Sequence, residues 1–376
     1  MYAGLAGLEG LGGLTGSTYA GLLATGSEHG GGGGGGAGGN KAQNAAAMRA
    51  MQAAKLRASK TALERHDVEI IGSGPELLVF SHGFGFNKNV WSGLIKALDK
   101  TRYKIVLYNV TGALGTDYDA FDYQRYSTLH GFTDDLLLLL HELGVEGRER
   151  GQQCTVVGQQ QAGMVALLAS LERPTLFKRI VLLSSSPRLL GAEGYEGSYA
   201  LEDLDQVFGI MQGNFKLWVR NCAPVLTADD IKAGHVREFV RPLFLLRPDI
   251  AFSFLKTAFA CDVRDILPRV SAYAAREEDE WMVHMLFFSG EPTVPESVMQ
   301  YMLKTIPNAY GELLPTRSLQ DSPEVVANSL EKHLSMPLRD PFGHSSRRMM
   351  NTRIPLPSQE EGEEGDDGGE TREDIL

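Results

Sequence analysis

Cysteine is scarce in this chain: Cys154, Cys222 and Cys261 are the only three in 376 residues. They are odd in number and form no Cys-x-x-Cys pair. They therefore offer neither a disulfide framework nor a thiolate zinc cluster, and they suit a reducing compartment. No stretch approaches the roughly 18 to 20 consecutive apolar residues of a membrane-spanning helix, so no span is expected. No basic block interrupts the mildly acidic centre of the chain, which sets nucleic acid aside as the main partner. Two further absences are local. Residues 41–60, KAQNAAAMRAMQAAKLRASK, contain no acid, and residues 358–376 contain a single base, Arg372, among nine acids.

Glycine, by contrast, is in excess, at 43 residues. Residues 1–39 hold 17 of them, including the run from Gly30 to Gly36. A segment of Gly, Ala, Ser and Leu cannot bury enough apolar surface to offset its ordering entropy, so disorder is expected there. The acidic tail is expected to be a solvated, self-repelling extension, with a docking role as its alternative reading. The chain then divides into a disordered Gly/Ala-rich extension with a basic, helix-prone end (1–60), a folded domain (61–335) and an acidic disordered tail (336–376). Residues 41–60 match an organelle transit peptide in part; the other reading is a solvated helical lead-in. The expected location is cytoplasmic or nuclear, with organelle targeting as the alternative.

Between 67 and 335 short apolar or β-branched runs alternate with helical periodicity. Val68–Ile71, Leu77–Ser81, Lys104–Tyr108, Cys154–Val157, Ile180–Ser184, Val283–Ser289 and Glu312–Leu314 read as strands. Several are apolar at consecutive positions, as strands covered on both faces are. Val90–Leu98, Thr128–Leu143, Ala162–Leu171, Glu296–Thr305 and Pro323–Leu334 read as the helices between them. The alternation predicts an α/β fold with a doubly wound, mostly parallel sheet. From about 187 to 268 the strand signal stops and four helices are predicted. A helical block inserted after one strand would form a cap over the carboxyl ends of the strands, where such sheets bind ligands.

The segment Cys154–Leu168, CTVVGQQQAGMVALL, has the strand–turn–helix layout of a nucleophile elbow, G-x-S-x-G, with Gln160 at its centre. A carboxamide has no usable nucleophilic atom at neutral pH. Upstream, Ser81-His82-Gly83-Phe84-Gly85 follows a strand, where such a fold places the other half of an oxyanion hole. Phe84 and Gln161 would supply the two backbone N–H donors.

These residues identify a resemblance. From about Glu64 to Leu334 the chain is similar to the small α/β hydrolases that include the plant karrikin and strigolactone receptors and their bacterial stress-regulator relatives. The stretches that carry it are VEIIGSGPELLVFSHGFGFNKNVW, FDYQRYSTLHGFTDDLLLLL, LASLERPTLFKRIVLLSSSPR, LEDLDQVFGIMQGNFKLWV and RPDIAFSFLKTAFACDVRDILP. The resemblance implies an α/β-hydrolase fold with a capped pocket. Its nucleophilic Ser falls on Gln160. Its acid falls on Glu291, in Glu291-Pro292-Thr293-Val294-Pro295. Its His would stand in the loop Pro315–Pro323, which contains none. Of the nine histidines, none lies between Ser289 and the last helix. His284 falls inside a strand, His333 is expected on the surface of the last helix, and His82 is expected to be a structural hydrogen-bonding residue.

By the same match, Phe84, Trp218, Cys222, Phe259 and Val294 are expected either to line the pocket or to pack in cap and core, with Gln160 and Gln161 at its floor. Cys222 stands where the receptors often carry a larger residue. The loop Ala275–Trp281, AREEDEW, reads as an exposed acidic insertion. The leading expectation is a non-catalytic, receptor-like protein that binds a small apolar or butenolide-like ligand without cofactor or metal and signals to a protein partner through its cap. The alternatives are a weak ester or lactone hydrolase using an unconventional base such as Glu291, and a scaffold with no ligand.

Overall fold

The computed structural model describes residues 38–338, apart from 148–149, 228–233, 275–281, 292 and 307–308. The glycine-rich head, the acidic tail and the 275–281 insertion lie outside the described residues. Seven strands form one sheet: β1 (Glu69–Ile71), β2 (Glu76–Ser81), β3 (Tyr103–Leu107), β4 (Cys154–Gln159), β5 (Phe177–Leu183), β6 (Met282–Phe288) and β7 (Tyr310–Leu314). Their order is β1-β3-β2-β4-β5-β6-β7. Only β1 runs antiparallel to its neighbour; all the other pairings are parallel. All seven strands read from the sequence are present, because apolar residues on both sides of each central strand are covered by helices.

The helices are α1 (Gly38–Ala58), α2 (Ala62–Arg65), α3 (Ser92–Ala97), α4 (His130–Glu142), α5 (Gln161–Glu172), α6 (Leu201–Gly213), α7 (Phe215–Thr227), α8 (Gly234–Leu245), α9 (Pro248–Ala260), α10 (Leu267–Ala274), α11 (Glu296–Thr305) and α12 (Pro323–Leu334). On one face of the sheet Leu94 of α3 and Val326 and Leu330 of α12 pack against Phe80, Ile105, Leu183 and Leu286. On the other, α4, α5 and α11 enclose Val79, Val106, Val156, Ile180 and Phe287. The four helices α6 to α9 form a third apolar cluster, and Phe84 and Phe86 from the turn after β2 join it. The cap therefore sits on the carboxyl end of the sheet, as its insertion after β5 predicts.

Residues 41–60 are helical, but not free in solvent along their whole length. At the C-terminal half of α1, Ala53 is 2% exposed. Arg57 donates to the Ala120 carbonyl at 2.9 Å and pairs with Asp122 at 3.3 Å. The reading of a solvated lead-in fits only the outer half, where Met48 and Met51 are 74% and 78% exposed. Asp122 belongs to the motif FDYQRYSTL. Further along the same motif, Tyr126 donates to Asp135 at 2.8 Å and Arg125 pairs with the same carboxylate at 3.0 Å. Those residues of the motif are scaffolding that fixes the loop beneath the cap.

One expectation is corrected. His333 is 1% exposed and does not lie on the surface of α12. Its Nε2 meets Glu312 Oε2 at 2.8 Å, and its Nδ1 meets Nδ1 of His284 at 2.8 Å. The helix turns this residue toward the sheet because Val326, Leu330 and His333 share one face at i, i+4 and i+7 spacing.

The elbow depends on close backbone approach. A Cβ at Gly158 would lie 2.6 Å from Cα and N of Gly163, and one at Gly163 would lie 2.2 Å from Ser185 Oγ. Gly158→Ala should therefore separate β4 from α5 and destabilise the fold by about 1 to 3 kcal/mol, the usual cost of overpacking, measurable by chemical denaturation. Gly144→Ala serves as a control, since a Cβ there meets nothing and only its positive φ opposes it.

Candidate functional site

Four successive strand ends bring the candidate residues to one edge of the sheet. Gln160 N–H donates to Leu183 O at 3.0 Å, Ser184 N–H to Leu286 O at 2.9 Å, and Ser289 N–H to Leu314 O at 2.9 Å. The elbow after β4, Ser184 after β5, Glu291 after β6 and the loop after β7 thus stand side by side. Gln160 has φ 53° and ψ −126°, a conformation uncommon for any residue with a Cβ. The tight strand-to-helix crossing imposes it, and it lifts the side chain out of the sheet at the first turn of α5. Gln161 opens that helix, so its N–H is among the first-turn donors that have no intrahelical acceptor.

The facing turn is built around His82, which is buried. Its Nε2 accepts from Val110 N–H at 3.0 Å, so its Nδ1–H donates to Gly83 O at 2.9 Å. Burial pushes its pKa down to about 4, which keeps the ring neutral and that pattern fixed. The structural role expected of His82 is the one it has. Gly83 N–H is aimed at Gln159 Oε1, at 3.4 Å. The Gln160 carboxamide folds over the same glycine: a Cβ at Gly83 would lie 2.3 Å from Gln160 Oε1. Gln160 therefore lies between the elbow and the turn that carries Phe84. Beside that turn, Val110, Ala113, Leu246, Ile250 and Phe254 leave a cavity of about 10 Å³, room for one water at most.

Glu291 occupies the acid position. Thr293 Oγ1 donates to its Oε1 at 2.5 Å, while Oε2 is sealed from solvent with no partner among the described residues. Burial raises its pKa to about 7, and the hydroxyls of Ser184 and Thr293, which favour the charged form, do not offset it. Ser184 itself has φ 44°, and its buried Oγ, near enough to Glu291 to favour the charged carboxylate, falls outside hydrogen-bond geometry with any described residue. Sequence reasoning did not mark it: a serine ending a strand carries no signal of positive φ.

The loop from Pro315 to Ser322 is filled by its own polar groups. Thr316 Oγ1 donates to Ser318 O at 3.1 Å and to Asp321 at 3.2 Å, and Ser318 Oγ accepts from Asp321 N–H at 3.1 Å. Leu319 is 1% exposed and anchors the loop in the core. No imidazole stands in it. The histidines that flank it in sequence, His284 before and His333 after, pair with each other beside Glu312, and His284 lies near the start of β6, the end of the strand away from the elbow.

Of the apolar candidates, Phe84, Trp218 and Phe259 fall in one cluster. Phe84 meets Trp218 at 6.4 Å and Phe254 at 5.4 Å between ring centroids. Phe259 packs edge-on against Tyr199 and Phe208. Val294 belongs instead to the core cluster on the far side of the sheet edge. Cys222 lies on α7, and its side chain is outside the described residues. Among the described residues no group of His, Cys, Asp and Glu is arranged to hold a metal, and no helix is long and apolar enough to cross a membrane.

With this geometry in hand, comparison with known proteins is direct. The sequence model of the alpha/beta hydrolase family matches residues 78–328. Karrikin insensitive 2 receptor CA of Petunia hybrida is 35% identical over 277 residues, 72% of this chain and 96% of that protein. Strigolactone esterase D14 of Arabidopsis thaliana is 34% identical over 240 residues, 64% of this chain and 84% of that protein. A hydrolase from Oleispira antarctica shares the fold, with a TM-score of 0.65 at 22% identity over 73% of this chain and 95% of its own. The chain belongs to the alpha/beta hydrolase family, and its relatives include the karrikin and strigolactone proteins that the sequence resembles.

The Glu291 environment has a measurable consequence. A carboxyl whose folded pKa is raised above its unfolded value stabilises the fold fully below the unfolded pKa of about 4.5, and that contribution is lost as pH rises through about 7. The rise from 4.5 to about 7 corresponds to about 3 kcal/mol. Glu291→Gln removes the titration. Its stability relative to the parent should therefore grow between pH 5 and pH 8, as measured by urea denaturation across that range.

Proposed function

We propose that this chain is a non-catalytic, receptor-like member of its family that binds a small apolar or butenolide-like ligand beneath the cap, with cap movement widening the small cavity there, and does not turn it over. The observation that carries the reading is Gln160 at the apex of an otherwise well-formed elbow. Acyl transfer needs an activated nucleophile and a base that takes its proton. Gln160 supplies no nucleophile, and the loop after β7 supplies no base. Glu291, near half-protonated at neutral pH, has no imidazole to orient.

What remains is a set of recognition groups. The Gln161 N–H, in the first turn of α5, and the turn at Phe84 would supply donors to a carbonyl oxygen, and the Gln160 carboxamide adds both a donor and an acceptor. The aromatic residues Phe84, Trp218 and Phe259 supply an apolar boundary of the kind that small-molecule sites use. Lactone or ester carbonyls suit such a floor because they accept hydrogen bonds without needing to be attacked. Receptors among the relatives make a protein partner at the cap the corresponding output.

One observation favours a second reading. A carboxyl with a pKa of about 7 is matched to general-base work at neutral pH, so Glu291 acting on water would make a weak hydrolase.

The two readings separate in one experiment. Purified full-length protein is melted with a panel of lactones and, in parallel, assayed with an activated ester. Receptor-like binding predicts a rise of several degrees in Tm for at least one lactone, with no hydrolysis above background. Hydrolysis that follows a pH profile centred near 7 and is lost in Glu291→Gln would replace it with the enzymatic reading. A flat Tm across the panel together with no turnover would defeat both.

A further inference from the structure

Far from the elbow, the last strand and the last helix are joined by a buried polar chain that the ligand-binding reading does not use. Glu312 Oε2 accepts from Ser329 Oγ at 2.9 Å, from Lys332 Nζ at 3.2 Å and from His333 Nε2 at 2.8 Å. His333 Nδ1 then faces His284 Nδ1 at 2.8 Å. Both rings are at most 1% exposed, and His284 Nε2 has no hydrogen-bond partner among the described residues. The groups facing the pair are Arg179 from β5, the Tyr310 ring and Glu312 from β7, and Ser329 and Lys332 from α12.

Proton counting fixes the state of this chain. Because Glu312 is a carboxylate, held at about 2 chiefly by the His333 hydrogen bond, Nε2 of His333 carries the hydrogen that it donates. Between the two Nδ1 atoms only one hydrogen fits. With both rings neutral it belongs to His284, whose Nε2 then bears a lone pair and needs no acceptor. A further proton forces an N–H onto His284 Nε2, where it meets no acceptor and shares a buried space with the Arg179 cation. An orphaned buried donor of that kind is costly. Burial, the neighbouring His333 and Arg179 all push the His284 pKa well below 6.5.

The position of this chain in the topology gives it a consequence. Glu312 lies in β7, and Ser329, Lys332 and His333 lie in α12. The loop Pro315–Ser322, which borders the candidate site, connects those two elements, and the contacts, made in the last turns of α12, tie together the strand and the helix that carry its two ends. We propose that Glu312, His333 and His284 form an acid-released latch: a proton added at His284 frees α12 and loosens the loop beside the elbow.

The sign follows from linkage. A buried His held neutral contributes stability that is present above the unfolded pKa of about 6.5 and lost as pH falls below it, by up to tenfold in the equilibrium constant per pH unit. Glu291 has the opposite sign, since acid favours its folded state, so it cannot imitate the effect.

Hydrogen exchange of the full-length protein, corrected for the intrinsic pH dependence of exchange, tests the latch between pH 7.5 and pH 5.5. Amides of residues 315–334 should lose protection by up to tenfold on acidification while those of β4 and α5 do not. His284→Gln keeps a donor toward His333 Nδ1 but cannot titrate, and should abolish the acid-induced loss. His284→Asn, which also keeps an amide donor and cannot titrate, makes the same test should the first variant fail to fold. A wild-type profile for 315–334 that is unchanged over this range overturns the proposal whatever the variants do, as does a His284→Gln protein that retains the full loss.

Discussion

The structure depends on one close crossing. β4 ends and α5 begins within a few residues, with Gly158 and Gly163 in near contact, and neither position has room for a side chain. That crossing forces the intervening residue to φ 53° and sets it above the sheet edge, whatever its chemistry. It also aims the open N-terminus of α5 at the same point, and it fixes the spacing between β4 and β5 on which Ser184 and then Glu291 depend. The cap and the turn at His82 are arranged around this point. Replacing the residue at the apex changes the chemistry of the site and leaves its architecture in place.

The consequences at Glu291 are electrostatic. A triad acid is useful because it stays charged beside an imidazole that needs orienting. Here the loop after β7 holds no imidazole and is closed by Thr316, Ser318 and Asp321, and the Glu291 carboxyl lies in a pocket that favours its neutral form. The histidines that do sit near this part of the chain are at the far end of β6 and of α12, where they serve the fold. Glu291 and His284 are thus buried ionisable groups of opposite sign. Acid favours the folded state at Glu291 and opposes it at His284, so the two ends of the β6–β7–α12 layer respond to pH in opposite directions.

Much of this was legible in the sequence because it follows from periodicity and steric need. The consecutive apolar runs gave each strand, the gap in strand signal from 187 to 268 gave the cap, and Gly158-Gln159-Gln160 after a strand gave the elbow. Other features were not legible, for identifiable reasons. His333 reads as a surface residue when its helix is taken alone; only the facing Glu312, three residues before a loop whose length is not encoded in any motif, shows that it is buried. A closer reading had one cue: Glu312 sits among the apolar residues of a strand, and a buried acid requires partners. The docking of α1 depends on a single Arg57 reaching Ala120 and Asp122, a contact spanning more than sixty positions that composition cannot register.

The strain at Gln160 bears on how such sites should be read. A non-glycine residue at positive φ costs of order 1 kcal/mol or more, and at an active site it is commonly taken as a sign of function. In this chain glycine at the apex would relieve it, yet a bulky carboxamide stands there and folds back over Gly83. The conformation persists because β4, α5 and β5 over-determine it through Gly158, Gly163 and Ser185, not because chemistry at the apex requires it. Backbone strain at an elbow thus reports the crossing. Whether the site turns over a substrate depends on which atom the side chain presents there and on whether a base can reach it.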